Sequence, residues 1–118
     1  MTKPLALIIE DDPKLTQVFA LSIQEHFETE TFTDGDSALA RLAHVTPHIV
    51  LVDLNLPGAP GRKIISYIRS EARLHNVRVL ICSADDRQAD ALRHEVDFVL
   101  LKPISPIQLR DLAKRLTK

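Results

Sequence analysis

The feature that most constrains the fold is an aliphatic run in the middle of the chain, from Ile49 to Val52, which ends on the carboxylate of Asp53. A run without polar residues predicts a strand buried on both faces, and in a soluble protein such strands are typical of the interior of a parallel sheet. Pro57 and Gly58 then predict a loop. Asp53 is therefore expected at the carboxyl edge of the sheet, where open α/β folds bind ligands. Taken alone, it is more simply explained as the start of a turn or the cap of the next helix.

Four further runs predict strands, and the segments between the strands carry apolar residues at helical spacing. The predicted strands cover Leu5–Ile9, Thr29–Thr33, Val77–Cys82 and Asp97–Leu101. Helices are predicted to begin near Pro13, Asp34, Arg62, Asp86 and Pro106, with Asp12 and Ser105 as caps before the two prolines. Because strands and helices alternate through short connections, the sequence predicts an α/β domain: a doubly wound parallel sheet of five strands with helices on both faces.

The apolar positions also predict which helix faces point inward. The first helix is expected to bury a stripe that includes Val18 and Phe27, and the last helix is expected to bury Ile107. The segment from Asp86 to His94, by contrast, has few apolar residues and carries charges on every side. This fourth helix is therefore expected to be loosely held.

Composition excludes several classes of function. The 118 residues are expected to form one domain, residues 1–118, and a net charge of -1 gives no electrostatic footprint for binding nucleic acid. No apolar run approaches the ~20 residues of a membrane span, and no signal peptide begins the chain, so a cytoplasmic location is expected. The single cysteine, Cys82, lies in an apolar run and is expected to be a small buried hydrophobe. The five histidines show no metal-ligand spacing.

Polar side chains follow four of the predicted strands at the point where each strand ends. These residues are Glu10 and Asp11, then Asp53, then Ser83, and finally Lys102. Because the carboxyl ends of parallel strands share one edge of the sheet, these side chains are expected to meet there. Any one of them alone would be read as a solvated loop residue, but four successive strand ends together favour a functional site.

The chemistry of this set favours a divalent cation and phosphoryl transfer. Neighbouring carboxylates stay ionised only if a cation neutralises them, and Mg²⁺ or Mn²⁺ prefers oxygen ligands. Asp11 and Asp53 are the expected direct ligands, Glu10 is expected to act through water, and the backbone carbonyl of Asn55 is a candidate third ligand. Lys102 and Ser83 would help to neutralise a transferred phosphoryl group. A carboxylate can itself be the nucleophile, which gives an aspartyl phosphate.

The polar residues at these strand ends carry a family resemblance. The chain resembles the receiver domains of two-component response regulators in four motifs, which are Glu10–Asp11–Asp12, Asp53 with the Pro57–Gly58 loop, Ser83–Ala84 and Lys102–Pro103. The resemblance implies a flavodoxin-like (βα)5 three-layer sandwich with strand order 2-1-3-4-5. It also implies Mg²⁺-dependent phosphorylation of Asp53 by a sensor histidine kinase or a histidine phosphotransfer protein.

The resemblance further implies a regulatory role and a route for output. Such a domain is a phosphoacceptor and not an enzyme acting on other substrates. Phosphorylation is implied to reorient Ser83 and to alter the face formed by the fourth helix, the fifth strand and the fifth helix. That face is the expected contact for a partner, an attached effector or a second copy in a homodimer.

The sequence departs from the family in the region that carries this output. Val99 stands three residues before Lys102, where the family usually has an aromatic residue that moves with the hydroxyl, and Phe98 is one position away. The small-residue turn before the fifth strand is replaced by His94–Glu95–Val96, and the segment between Ser83 and Lys102 is a few residues short. These changes affect the expected output route and leave the expected phosphorylation chemistry intact.

Three alternatives remain at the level of sequence. A haloacid-dehalogenase-type phosphatase needs a second Asp where this chain has Asn55, and a flavodoxin-like electron carrier would not place acids beside a phosphate. A pseudo-receiver, which acts as an interaction module without phosphorylation, is the strongest competitor because the switch region is altered.

Overall fold

The apolar runs form five parallel strands in the computed structural model, which describes residues 3–117. The sheet has the order β2-β1-β3-β4-β5, as expected from the sequence. The strands are β1 (Leu5–Ile9), β2 (Glu28–Phe32), β3 (Ile49–Asp53), β4 (Arg78–Ser83) and β5 (Phe98–Leu101). All five residues of β3 are buried, because this central strand is covered by helices on both faces.

Within residues 3–117, five α-helices connect and cover the strands, which confirms the predicted doubly wound α/β fold. They are α1 (Pro13–Ile23), α2 (Gly35–Leu42), α3 (Gly61–Ser70), α4 (Asp86–Ala91) and α5 (Pro106–Leu116), with short 3-10 helices at Ala72–Leu74 and Arg93–Glu95. The Asp12 and Ser105 side chains accept hydrogen bonds from the first turns of α1 and α5, so both predicted caps are confirmed. None of the helices in residues 3–117 is long and apolar enough to span a membrane.

The predictions of inward-facing residues were wrong at Val18 and Ile107, whereas the predicted burial of Phe27 is confirmed. Phe27 is buried, but it lies beyond the end of α1. Val18 is 38% exposed and Ile107 is 62% exposed, because α1 and α5 lie against each other on one face of the sheet and each helix buries only a narrow stripe. The fourth helix ends at Ala91, and a separate 3-10 turn follows it.

The hydrophobic core has two parts, one on each face of the sheet. Side chains of β1, β3 and β4 alternate between them, so that Leu7 packs with α2 and α3 while Ile8 packs with α1 and α5. Cys82 lies in the second part and is 1% exposed, as expected from the sequence. The helices are thus fixed by burial, and the strand ends that they leave open form the edge described below.

The guanidinium group of Arg69 links the segments that precede β4 and β5, where these strands begin. Arg69 in α3 donates from Nε to the Glu95 carbonyl at 2.7 Å, from Nη1 to the Val77 carbonyl at 3.0 Å and from Nη2 to Asp97 Oδ2 at 3.0 Å. The same Asp97 oxygen accepts from the Val79 N–H at 2.8 Å. Nothing in the periodicity of the sequence indicated this network.

Candidate functional site

The ends of β1, β3, β4 and β5 lie side by side and bring the predicted polar residues to one edge. In the register of the sheet, Ile9 is level with Val52, Asp53 with Cys82, and Ser83 with Leu101. Each apolar strand therefore stops at nearly the same height, and the next polar residue projects into a shared space. The structure thus brings Glu10, Asp53 and Lys102 together.

Three carboxylates form the centre of the site. One carboxylate oxygen each from Glu10, Asp11 and Asp53 lies within 4.8 Å of the others. Glu10 is 2% exposed and Asp53 is 5% exposed, whereas Asp11 lies at the surface. Two of the three acids are therefore largely withdrawn from water, where uncompensated negative charge is costly.

Lys102 is the cation that compensates these buried acids in this structure. Its Nζ donates to Asp53 Oδ2 at 2.9 Å and lies 2.5 Å from Glu10 Oε1. Lys102 follows β5 directly, and its N–H donates to the Ser83 carbonyl at 2.8 Å. Burial by itself would lower the pKa of the Lys102 ammonium, but the hydrogen bonds and charges of Glu10 and Asp53 raise that pKa on balance.

Glu10 has the less favourable electrostatic environment of the two buried acids. Its Oε2 accepts from the Asp12 N–H at 3.2 Å, while its buried Oε1 is paired with the Lys102 ammonium. Burial raises the pKa of Glu10 to about 7, the contact with Lys102 opposes the rise, and the proximity of Asp11 and Asp53 adds to it. One ammonium therefore does not fully neutralise the cluster.

The donor set fits a hard divalent cation. Three carboxylates offer only oxygen ligands and carry more negative charge than Lys102 balances. The Asn55 N–H donates to Asp53 Oδ1 at 3.0 Å, so the backbone turns sharply directly after the acid. Asp53 thus begins a turn as well as facing the cluster, whereas the cap position of α3 is occupied by Pro60.

Gly61 packs against the backbone of Asp53, and Gly35 and Gly58 allow close packing nearby; sequence reasoning did not identify why these glycines are needed. A Cβ on Gly61 would lie 2.3 Å from the Asp53 carbonyl oxygen, so the first turn of α3 rests directly on the backbone of the site. A Cβ on Gly35 would lie 1.8 Å from the Ala59 carbonyl oxygen. Gly58 has a φ of 73°, a conformation that favours glycine.

Ser83 is at the predicted strand end, but its hydroxyl does not bond to the acid cluster. The Ser83 hydroxyl accepts from the Asp85 N–H at 2.9 Å and donates to the Asp85 carbonyl at 3.0 Å. Asp85 also caps α4, since its side chain accepts from the N–H groups of Arg87 and Gln88. The hydroxyl is therefore bound to the loop that begins α4.

The residues in the altered switch region differ in burial. Val99 is partly buried and packs against the core on the α2–α3 face, whereas the aromatic ring of Phe98 is not inserted there and the residue is 37% exposed. The neighbouring α4 has six residues, of which only Ala89 is buried. The expectation of a weakly held fourth helix is consistent with this small buried area.

The chain is similar in sequence to a known domain family and to curated proteins that contain it. Residues 6–114 match the family model described as response regulator receiver domain. Among curated proteins, the chain is 35% identical over 125 residues to the "Regulator of RpoS" of Escherichia coli, covering 95% of this chain and 35% of that protein. It is 29% identical over 107 residues to the "DNA-binding response regulator MtrA" of Mycolicibacterium smegmatis, covering 87% of this chain and 46% of that protein.

A eukaryotic relative and two solved structures extend the comparison. The chain is 24% identical over 110 residues to the "Hybrid signal transduction histidine kinase D" of Dictyostelium discoideum, which covers 91% of this chain and 7% of that protein. The chain thus spans less than half the length of these curated relatives. The fold is similar to that of chemotaxis response regulator CheY4 of Vibrio cholerae, with a TM-score of 0.88 and 21% identity, covering 98% of this chain and 99% of that one. It is also similar to that of a putative response regulator of Chloroflexus aurantiacus, with a TM-score of 0.89 and 21% identity, covering 98% of each chain.

Proposed function

Because this chain belongs to the response regulator receiver domain family, we propose that it is a phosphoacceptor signalling unit in which Asp53 receives a phosphoryl group from a phosphohistidine. The observation that carries the proposal is the buried Asp53 carboxylate, held by Lys102 at 2.9 Å and lying beside Glu10 and Asp11. Those acids carry the charge and oxygen donors that a divalent cation requires.

In the proposed reaction, a carboxylate oxygen of Asp53 attacks the phosphorus atom. The new phosphorus–oxygen bond forms as the phosphorus–nitrogen bond to the donor imidazole breaks, and the electron pair of that bond leaves with the imidazole. The Asn55 N–H and the Lys102 ammonium each hold one Asp53 oxygen, so the carboxylate is oriented before the donor arrives. Lys102 can then move its ammonium to a phosphoryl oxygen.

The proposed metal site consists of Glu10, Asp11, Asp53 and the backbone carbonyl of Asn55. Mg²⁺ or Mn²⁺ bound there would offset the negative charge of the acids and of the incoming phosphoryl oxygens. The three clustered carboxylates support this assignment, because a divalent cation would offset the negative charge that the single Lys102 ammonium leaves. Asp11 is exposed and accessible from solvent, which suits a direct ligand.

Intact-mass measurement after incubation with acetyl phosphate and Mg²⁺ tests the proposal. The chain should gain one phosphoryl group, and Asp53→Ala should gain none. Asp12→Asn is the matched control, since it removes a neighbouring carboxylate while keeping a side chain that caps α1 well. Labelling that persists in Asp53→Ala, or that is unaffected by a chelator, would contradict the proposed acceptor or the proposed metal dependence.

We further propose that phosphorylation acts through Ser83 and α4 without a swinging aromatic ring. To reach a phosphoryl oxygen, the Ser83 hydroxyl has to give up both of its hydrogen bonds with Asp85, the residue that caps α4. Val99 has a short side chain with one stiff torsion and cannot fill the space that the hydroxyl leaves. The α4 segment, which buries only Ala89, is therefore the element expected to move.

Amide exchange with and without the phosphate mimic beryllofluoride tests this route. Exchange should change across residues 86–101 as well as in the loops of the site. If the change is confined to the loops at Asp11, Asp53 and Ser83, the route is closed, and the alternative of an interaction module becomes the better description. The observation that favours an interaction module is the partly buried Val99, which stands where the family usually has an aromatic residue.

The proposed partners follow from the donor chemistry. A phosphohistidine is carried by a sensor histidine kinase or a histidine phosphotransfer protein, and one relative is named a hybrid histidine kinase. The face formed by α4, β5 and α5, with Phe98 and Leu101 exposed on it, is the proposed contact for an effector or a second copy. Residues 1–118 are proposed to act as one receiver unit.

A further inference from the structure

A cavity of about 410 Å³ lies between the loop that follows β3 and the end of α4. Its apolar walls are formed by Leu54 and Pro60 on the loop side and by Ala91 and Leu92 on the α4 side. The volume lies within the range of small-molecule sites in proteins, which is roughly 300–1,000 Å³. The cavity adjoins the carboxylate site through Asn55, which lines it, but none of Glu10, Asp11, Asp53 and Lys102 does.

The α4 side of this cavity carries few apolar side chains. The helix has six residues, and its only buried side chain is the single methyl group of Ala89. Ala91, at the end of the helix, lines the cavity with a single methyl group. A longer or more apolar helix would fill the space with its own side chains.

The rim of the cavity carries an uncompensated positive charge. Arg62 lines the cavity and is exposed, and within residues 3–117 no carboxylate lies within ion-pair distance of it. Arg69, further along α3, is paired with Asp97, and Arg93, just past α4, is paired with Asp90. The first turn of α3 contains no acid that would offset the Arg62 charge.

We propose that this cavity binds a small organic anion with an apolar body. The guanidinium of Arg62 would hold the carboxylate, sulfonate or phosphate group at the rim, where Gln88 adds a polar side chain. The apolar body would pack between Leu54 and Leu92. Apolar walls favour an amphipathic ligand over an inorganic anion, which gains nothing from them.

Binding of this kind would restrain α4. A ligand that contacts both the β3–α3 loop and the end of α4 adds apolar contacts to a helix that has few of its own. The proposal does not depend on phosphorylation of Asp53, because the cavity and the Arg62 charge are present in the unphosphorylated chain. Its failure and the failure of the proposed function are therefore distinguishable.

Fluorescence titration with a matched pair of probes tests the proposal. The anionic probe is 8-anilinonaphthalene-1-sulfonate, and the neutral probe is N-phenyl-1-naphthylamine, which lacks only the sulfonate. The unphosphorylated chain should bind the anionic probe saturably and about fivefold more tightly than the neutral probe, as expected for an exposed charge contact. Amide exchange in residues 86–92 should slow when the anionic probe is bound.

Two pairs of variants locate the binding. Arg62→Gln should abolish the preference for the anionic probe, whereas Lys63→Gln, which removes the same charge from the next exposed position, should keep it. Ala91→Leu should weaken binding of both probes by filling the cavity, whereas Ala40→Leu, at an exposed position of α2, should leave it unchanged. No saturable binding, a preference that survives Arg62→Gln, or binding that is unaffected by Ala91→Leu would overturn the proposal.

Discussion

The substitution Gly61→Ala tests how closely α3 packs against the backbone of Asp53. The added Cβ would lie 2.3 Å from the Asp53 carbonyl oxygen and 2.7 Å from Leu54 Cα. Ordinary van der Waals contact requires about 3.5 Å, so α3 and the end of β3 would have to separate by about 1 Å. Both of the crowded atoms belong to the backbone and cannot rotate away.

Opposing free-energy terms decide the sign of the effect on stability. Alanine is favoured over glycine in a helix by up to about 1 kcal/mol. Overpacking against a rigid neighbour costs about 1–3 kcal/mol. The separation would also lengthen the hydrogen bond from the Gly61 N–H to the Leu54 carbonyl, now 3.1 Å, which is worth about 1 kcal/mol. The free energy of unfolding should therefore fall by about 1–3 kcal/mol. Each kcal/mol lost should lower Tm by roughly 4 °C.

Urea denaturation of the metal-free chain measures this change, and Arg62→Ala is the matched control. Arg62 is the next residue of the same helical turn and is exposed, so its replacement should change the free energy of unfolding by less than about 0.5 kcal/mol. Phosphorylation of Gly61→Ala by acetyl phosphate should also slow, because the end of β3 that carries Asp53 is displaced. A Gly61→Ala variant as stable as the wild type, or more stable, would refute the close approach.

Three further predictions concern other parts of the chain. Lys102→Ala should impair the response to acetyl phosphate, since Lys102 Nζ contacts Asp53 at 2.9 Å, and intact mass over time checks this; an unchanged response would contradict the role. Arg69→Ala should lower the free energy of unfolding by roughly 2–4 kcal/mol because three acceptors each lose one donor, whereas Arg110→Ala at an exposed site should have little effect in the same urea titration. The Cys82 thiol should react with Ellman's reagent at pH 8 only after urea unfolding, because burial and, to a smaller extent, the nearby Glu10 charge raise the pKa of this thiol. Rapid reaction of the folded chain would contradict this and show that the strand opens readily.

The carboxylate site was predictable because its residues are marked locally in the chain. Each of Glu10, Asp53 and Lys102 is a polar residue at the end of an apolar run, and parallel strands bring such positions to one edge of the sheet. Strand order and the doubly wound architecture followed from the same alternation of patterns and from the family resemblance, and both are confirmed. These features depend on side-chain periodicity, which a single sequence displays.

The exposure of individual helix side chains was not predictable in the same way. Val18 and Ile107 have the right spacing for burial, yet both are exposed, because the position of α5 beside α1 decides which side of each helix is covered. The sequence of one helix does not specify which of its sides a neighbouring helix will cover. The same reason explains why the cavity beside α4 could not be anticipated.

The sequence by itself determined which segments become strands and helices and which chemical groups reach the carboxyl edge of the sheet. Only the tertiary structure decided that Lys102 lies closest to Glu10, that the Ser83 hydroxyl is held by the α4 loop, and that Gly61 rests on the carbonyl of Asp53. Strand and helix formation depends on patterns a few residues long, whereas two of these contacts, Lys102 with Glu10 and Gly61 with Asp53, join different elements of the fold. Their distances are set by the packing of whole elements against one another.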